Sequence, residues 1–323
     1  MAKPGSGPRP LTLVPPPSPW DTWIGDYLDE KRAGGVSRHT IAIYDYSLRK
    51  VLLPYCEARE IAEPRQLTAA HLNSLVAGLL DGTGSRSGRP LAKDSVDSYA
   101  RTINTFLAWL QGQGTDVTKA RAQRQKLSRR VLETLSREEI QKLEDAAETE
   151  RDKLIIRILA DTGIRVGELL GLTKDPMRLD GRRHYLKVLG KGDQERLVPL
   201  QPGLAARIAR FAKGTRKESA SQHLFLSSRR DRRSGEYEAL TKSGVEQWLS
   251  QLGRDVLGES RRIYPHLFRH SFVTEQLRRG MQPILVAKIV GHSSLEMVDR
   301  VYQHLSVSDA HEALMRSLAA EDR

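Results

Sequence analysis

The chain has 323 residues, of which 39% are hydrophobic. This is too long for one ordinary hydrophobic core, so two domains are expected. Its 52 lysine and arginine residues exceed its 40 acidic residues and give a net charge of +12. The excess of basic over acidic residues is the same in residues 1–133 as in residues 134–323. Such an excess favours nucleic acid as a partner, because basic side chains that neutralise phosphates release condensed counterions.

The composition also excludes several classes of protein. No apolar run approaches the roughly 18 residues of a membrane span, and the N-terminus lacks the apolar core of a secretory signal. We therefore expect a soluble, cytoplasmic protein without a membrane partner. The single cysteine, Cys56, excludes an internal disulfide framework and a cysteine-based metal site. We expect it to be a small buried apolar residue.

The first part of the chain predicts a helical domain behind a disordered lead. Residues 1–19 are rich in proline and should be extended and without a fold. Apolar residues then recur at helical spacing in four segments: from Trp20 to Gly34, from a Ser37 cap to near Pro54, over 68–80, and over 93–111. Since short loops join them, residues 20–112 are predicted to form a compact four-helix domain.

Two groups of polar side chains in this domain suit contacts with DNA phosphates. One group crowds the start of the second helix, and the other shares a polar face of the fourth helix. The candidates are Arg38, His39, Thr40, Ser95, Ser98 and Arg101. Solvated helix faces are the alternative interpretation of both groups.

Residues 113–133 are predicted to be a basic linker between the two domains. Between positions 119 and 130 it carries positive charges without an intervening acidic residue, at Lys119, Arg121, Arg124, Lys126, Arg129 and Arg130. This pattern favours a tether that crosses a phosphate backbone. A plain solvated linker is the alternative.

The second domain is predicted to span residues 134–308. It begins at Ser136, where Ser-Arg-Glu-Glu has the form of a capping box. An apolar helix over 154–160 then leads into a glycine turn, and Arg165 stands at the start of the next helix. Backbone N–H groups and the positive end of the helix dipole favour an anion there. Glu168, one turn on, can brace the Arg165 guanidinium; an ordinary helical ion pair is the alternative.

The hydrophobic period next changes from helical to alternating. Residues 185–189 and 196–200 predict two strands joined by a turn with Lys191 at its tip. A lysine at such a tip usually only aids solubility, but between glycines it can reach a neighbouring site as a proton donor. A helix over 203–213 and a short strand over 223–226 are predicted to follow. Further candidate DNA contacts are Arg229, Arg230 and Lys242.

Chemically useful side chains are densest between residues 264 and 304. His266 and Arg269 are three apart on one predicted helix, and Gly291-His292 and then Tyr302 follow. A guanidinium, imidazoles and a phenol suit attack on a phosphodiester, although a histidine and an arginine at this spacing are usually a solvated pair. Zinc is not expected, because the histidines lack a third ligand at a recognisable spacing. Residues 309–323 predict a short amphipathic helix.

The chain resembles the tyrosine recombinase (phage integrase) family in six residues that occur in the family's order. They are Arg165, Lys191, His266, Arg269, His292 and Tyr302. The resemblance extends from about residue 20 to about residue 310. It implies a mainly α fold with a small β-sheet, in which a four-helix core-binding domain precedes a mixed α/β catalytic domain. The ten residues from His292 to Tyr302 depart from the commoner nine, so the helix that presents Tyr302 is expected to begin differently.

The resemblance also implies the chemistry. Tyr302 would attack the scissile phosphorus and form a 3'-phosphotyrosyl bond. Arg165, Arg269 and His292 would stabilise the transition state, with Glu168 in support. His266 would act as the base and Lys191 as the general acid. No metal, no ATP and no other cofactor are implied.

The implied partners are double-stranded DNA with a specific core site and three further copies of the chain. The homotetramer would hold two DNA sites and exchange strands through a Holliday junction, in association with the nucleoid. The helix over 309–323 would dock on a neighbouring protomer or pack on its own domain. An accessory protein is left open. A type IB topoisomerase-like enzyme and a non-catalytic DNA-binding protein on the same fold are the alternative functions.

Overall fold

The computed structural model describes residues 19–126, 133–190, 195–216 and 218–291. The chain divides after Arg129 into two compact units, and each unit has its own hydrophobic core. The described residues are mainly helical with one small antiparallel sheet. The predicted fold class is therefore confirmed.

The first unit consists of helices around an aromatic and aliphatic core. They are α1 (Pro19–Ala33), α2 (Arg38–Tyr46), α3 (Leu53–Glu57), α4 (Ala69–Asp81) and α5 (Lys93–Gly112). The side chains of Ser37 and Thr68 cap α2 and α4 by accepting backbone N–H groups of the first turn. Trp20, Tyr27 and Phe106 are among the largest fully buried side chains. Cys56 is also fully buried, and its burial raises the pKa of the thiol to about 12.

The second predicted helix does not stop near Pro54. After α2 the chain makes a π-helical turn over Ser47–Leu52, and α3 then continues with Pro54 in its first turn. The N–H of Leu53 donates to Leu48, five residues back. Proline is tolerated there, because the first turn of a helix needs no backbone donor. The prediction was wrong because proline marks the start of a helix as readily as its end.

Part of the predicted linker packs against the first unit. Val117, Ala120 and Ala122 are buried and belong to its core. The side chain of Asn104 in α5 donates to the Ala122 carbonyl at 2.9 Å and accepts the Ala122 N–H at 2.8 Å. Small apolar residues between charges therefore anchor this segment, a role that the charge pattern alone did not predict.

The second unit combines helices with the sheet. The helices are α6 (Arg137–Ala146), α7 (Glu150–Thr162), α8 (Val166–Leu170), α9 (Pro202–Arg210), α10 (Lys242–Leu257), α11 (Pro265–Arg278) and α12 (Pro283–Val290). The predicted capping box is present, because Ser136 and Glu139 satisfy each other's backbone N–H groups. Helix α7 contributes Leu154, Ile155 and Leu159 to the centre of the core. None of the described helices is long and apolar enough to cross a membrane.

The sheet has three antiparallel strands in the order β1-β2-β3. They are β1 (Met177–Asp180), β2 (Arg183–Leu189) and β3 (Glu195–Leu200). The sequence did not predict β1, because three of its four residues are exposed and show no alternating burial. The strand predicted over 223–226 was wrong: His223 and Leu226 form isolated bridges with Thr173 and Ala239 instead of a ladder. Leu224, Phe225 and Leu226 are apolar because they are buried, the first two in the core of this unit.

Candidate active site

The turn between α7 and α8 packs tightly against α11. Gly163 ends α7 in the left-handed conformation with φ of 61°. A Cβ atom on Gly163 would lie 2.6 Å from a ring carbon of Phe272 in α11. Only glycine fits both the backbone conformation and this approach. The turn thereby places Arg165, which follows it, beside the helix that carries Arg269.

Arg269 is a buried guanidinium with spare donor capacity. The residue is 4% exposed, and its Nη1 donates to the Gly163 carbonyl at 2.7 Å. Its Nη2 is buried and has no hydrogen-bond partner among the described residues. Burial and then the nearby charge of Arg165 lower the pKa of Arg269 to about 9. A buried donor of this kind is costly unless a ligand satisfies it, and an anion would also offset the charge.

Arg165 is oriented by Glu168. The Glu168 carboxylate accepts the Arg165 backbone N–H at 2.7 Å and its Nη1 at 3.1 Å. Nη2 of Arg165 donates to the carbonyl of Gly291 at 3.1 Å. The sequence predicted that the backbone N–H groups at this helix start would favour an anion. The Arg165 N–H instead donates to Glu168, while the Arg165 side chain is 40% exposed and can meet a ligand.

Arg196 of β3 completes this cluster, and sequence reasoning missed it. Its Nη1 and Nη2 donate to the two oxygens of Glu168, each at 2.8 Å. Burial raises the pKa of Glu168, but the hydrogen bonds from Arg196 and the Arg165 backbone outweigh this and leave the pKa below its usual value. The signal in the sequence was an arginine two and four residues before Val198 and Leu200, on the same inward-facing side of the strand.

His266 lies at the solvent-accessible side of the same cluster. It is on the first turn of α11 and is exposed as a residue. Protein around the ring still excludes enough water to lower its pKa, and the charges of Arg269, Lys242 and Arg165 lower it further. These cations from three segments are thus close enough to act on one imidazole. His266 is favoured in its neutral form, which can accept a proton.

The remaining predicted catalytic residues, Lys191, His292 and Tyr302, lie outside the described residues. The described strands β2 and β3 flank the turn that contains Lys191. Gly291, the C-cap of α12, directly precedes His292 and has a left-handed backbone with φ of 68°.

The described residues contain no group of three or more histidine, cysteine, aspartate or glutamate side chains placed to hold a metal ion. The cluster around Glu168 consists of guanidiniums and one carboxylate. Its chemistry is that of an anion-binding surface built from cations of fixed orientation.

Comparison with known proteins decides the family. A family model described as the phage integrase family matches residues 133–309, more than half of the chain. The chain belongs to this family of tyrosine recombinases. It is 27% identical over 317 residues to the tyrosine recombinase XerA of Saccharolobus solfataricus, with 96% of this chain and 97% of the relative covered. It is 28% identical over 309 residues to XerD of Corynebacterium glutamicum, with 90% and 94% covered.

Solved structures support the fold of this tyrosine recombinase. The XerH site-specific recombinase bound to its difH substrate matches with a TM-score of 0.65 and 20% identity, over 90% of this chain and 83% of that one. A lambda integrase dimer bound to a core site matches with a TM-score of 0.63 and 18% identity, over 87% and 94%. At this level of identity the likeness concerns the fold alone.

The structure also locates the candidate DNA contacts of this family member. Of those in the first unit, Arg38, His39, Ser95 and Arg101 are exposed, and Ser98 is half-buried. The hydroxyl of Thr40 lies 2.9 Å from that of Ser37. Arg229, Arg230 and Lys242 are exposed in the second unit. Arg230 also lies over the ring of Tyr237, with 5.1 Å from its guanidinium carbon to the ring centre.

Arg124 has a partner that the sequence did not predict. Its guanidinium pairs with Asp97 in α5, with 2.7 Å from Nη2 to Oδ2. The Asp97 side chain is 2% exposed, so this arginine compensates a buried carboxylate. Lys119, Arg121 and Lys126 are exposed, while Arg129 and Arg130 lie outside the described residues. The predicted basic tether thus includes one arginine that holds the segment to its own unit.

Proposed function

We propose that the protein is a site-specific DNA recombinase that cleaves and rejoins strands through a 3'-phosphotyrosyl intermediate. The observation that carries the proposal is the buried Arg269, whose Nη2 has no partner among the described residues, beside the oriented guanidinium of Arg165. Two guanidiniums suit the non-bridging oxygens of a phosphodiester, where negative charge grows in the transition state. Membership of the phage integrase family supports the same chemistry.

In this mechanism Tyr302 attacks the phosphorus, and the bond to the 5'-oxygen of the next nucleotide breaks. The neutral imidazole of His266 takes the phenol proton, and Lys191 protonates the leaving 5'-oxygen. His292 donates a further hydrogen bond to the phosphoryl group. The reverse reaction, with a 5'-hydroxyl of a partner strand as the nucleophile, rejoins the DNA. Neither a metal ion nor ATP takes part.

We propose the following assembly for the reaction. Residues 20–112 bind the core DNA site, residues 113–133 connect the domains, and residues 134–308 carry out catalysis. Four protomers hold two sites and exchange strands through a Holliday junction, with residues 309–323 as a candidate contact between protomers. Two observations support DNA as the partner: the similar XerH recombinase was solved bound to its difH substrate, and this chain has a net positive charge. We propose that the protein acts on DNA in the cytoplasm, in association with the nucleoid.

A suicide substrate tests the proposal. Duplexes that carry a nick near candidate sites are incubated with the protein in EDTA and resolved on a denaturing gel. Wild type and Tyr264→Phe should form a covalent DNA adduct, and Tyr302→Phe should not. Tyr264 is a matched control because it is 38% exposed and occupies the N-cap position of the helix of His266 without a side-chain cap hydrogen bond.

Three results would contradict parts of the proposal. An adduct with Tyr302→Phe would remove Tyr302 as the nucleophile. Cleavage and relaxation of a single duplex without recombinant products would favour the topoisomerase-like reaction. Specific DNA binding without any adduct across the whole set of sites would favour the non-catalytic alternative.

A further inference from the structure

Arg196 occupies an inward-facing position on β3. Val198 and Leu200, two and four residues further along, are buried, and strand alternation puts Arg196 on the same face. Its side chain is 17% exposed. A charged group in this position requires partners, because an unpaired buried charge is strongly unfavourable.

The first partner of Arg196 is the carboxylate that orients Arg165. Both terminal nitrogens of Arg196 donate to Glu168 at 2.8 Å, one to each oxygen. Such a two-point contact fixes the plane of the carboxylate as well as its position. The same two oxygens accept the backbone N–H and Nη1 of Arg165. The direction of the Arg165 guanidinium therefore depends on Arg196 through Glu168.

The second partner of Arg196 is the C-terminal end of α12. Its Nε donates to the Ile289 carbonyl at 3.1 Å, and its Nη2 donates to the Val290 carbonyl at 3.2 Å. Carbonyls at a helix end lack partners within the helix. A Cβ on Gly291 would lie 2.8 Å from the Arg196 guanidinium carbon. The absence of a side chain at Gly291 is what lets the guanidinium reach this helix end.

We infer that Arg196 is a positioning residue that couples Arg165 to the end of α12. Through Glu168 it orients one phosphate-binding guanidinium, and through two carbonyls it fixes the point where the chain enters residue 292. Four hydrogen bonds from its guanidinium are directed at the protein, so few donors are left for a substrate. The inference deepens the proposed function and rests on it for the catalytic part.

Amide hydrogen exchange tests the structural half without any DNA. Arg196→Met and Arg196→Lys are compared with Arg207→Met, a matched control. The side chain of Arg207 is 26% exposed and donates to Glu150 at 2.6 Å, in a cluster that does not include α12. Arg196→Met should speed exchange in the last turn of α12 at least about tenfold, with a smaller effect for Arg196→Lys. Equal exchange in Arg196→Met and Arg207→Met would overturn the inference.

Cleavage of suicide substrates at saturating DNA tests the catalytic half. Arg196→Met should lower the rate constant for adduct formation about 10²-fold, because small misplacements of catalytic groups have effects of this size. DNA affinity should stay within about threefold of wild type, since Arg196 makes no proposed DNA contact. Arg196→Lys should recover part of the rate, and Arg207→Met should cleave like wild type.

A double variant separates positioning from general destabilisation. If Arg196 acts through Arg165, the double variant Arg165→Lys, Arg196→Met should lose less of the rate of adduct formation than the product of the two single fold-losses. A double variant whose fold-loss in rate equals the product of the two single fold-losses would overturn the inference. An Arg196→Met rate equal to that of Arg207→Met would also overturn it. If wild type forms no adduct at all, the proposed function fails, and the exchange measurement alone decides whether Arg196 holds α12.

Discussion

Two arginine clusters in the second unit differ in their balance of charge. The balanced cluster joins α6, α7 and α9 through the hydrogen-bonded ion pairs of Glu144 and Glu150 with Arg157 and Arg207. The unbalanced cluster consists of Glu168, Arg165, Arg196 and Arg269. It sets three guanidiniums around one carboxylate, and Arg269 Nη2 has no partner among the described residues.

The difference distinguishes arginines that hold the fold from arginines that are proposed to bind a ligand. In both clusters a nearly buried carboxylate, Glu144 or Glu168, accepts hydrogen bonds from two arginines. Burial alone therefore does not mark the site. The excess of cations does, because it leaves a favourable place for negative charge that no described residue fills. Variants in the two clusters should consequently change different properties.

The largest effect is expected for Arg269→Lys. The lysine keeps the positive charge but loses the planar pair of donors, so adduct formation should fall about 10²- to 10³-fold. The midpoint of thermal unfolding should change little, since one of the lost donors is unsatisfied in the described residues. Suicide-substrate kinetics and a thermal melt measure the two quantities. A large loss of stability with a normal cleavage rate would place Arg269 with the structural arginines.

Glu168→Gln should have the largest effect on stability. It leaves the guanidiniums of the unbalanced cluster without a counter-charge, which should lower the free energy of unfolding by about 3 kcal/mol. Because the folded pKa of Glu168 lies below its ordinary 4.5, its contribution is present above pH 4.5 and is lost as the pH falls through the folded pKa. Urea denaturation of wild type and variant should therefore converge at acid pH. Curves that stay parallel at all pH values would contradict this.

Arg207→Met, in the balanced cluster, should lower stability but leave the rate of DNA cleavage unchanged. Glu144 keeps Arg157 as a partner, so the free energy of unfolding should fall by only about 1–3 kcal/mol. The rate of adduct formation by folded, DNA-bound protein should remain that of wild type. A matched Arg207→Lys variant should recover part of the stability. A slow rate in folded Arg207→Met would mean that the balanced cluster also shapes the site.

The smallest effect concerns the pKa of His266. In the free protein it should lie below the ordinary 6.5, because burial and neighbouring cations favour the neutral ring. Arg269→Gln removes one of those cations and should raise the pKa of His266, whereas Arg269→Lys keeps the charge and should leave that pKa unchanged. Ring resonances followed by NMR across pH, assigned with His266→Gln, measure the shift. An identical pKa in all three proteins would show that Arg269 does not act on the imidazole.

Local signals predicted much of the fold. Ser37 and Ser136 cap helices as predicted, and alternation located β2 and β3. These features depend on a few adjacent residues. Local patterns failed at Pro54, because proline occurs both at the start and at the end of helices. They also failed at β1, because that strand lacks alternating burial.

The contacts of the site between distant parts of the chain could not be predicted from local patterns. Arg165 and Glu168 are three residues apart, so their contact follows from helix geometry. The contact of Glu168 with Arg196 spans 28 residues, and that of Arg165 with Gly291 spans 126. An inward-facing arginine on a strand indicates that a partner exists but does not identify it. The roles of Lys191, His292 and Tyr302 stay predictions.

The glycine-ended helix α12 directs its C-terminal carbonyls into the neighbourhood of the cations. A helix end of this kind carries roughly half a negative charge, which would repel an approaching anion. Arg196 covers the carbonyls of Ile289 and Val290, and Arg165 covers that of Gly291. An anion therefore meets guanidiniums instead of bare carbonyl oxygens. The two arginines act as an electrostatic shield that lets a helix end lie next to the proposed phosphate-binding surface.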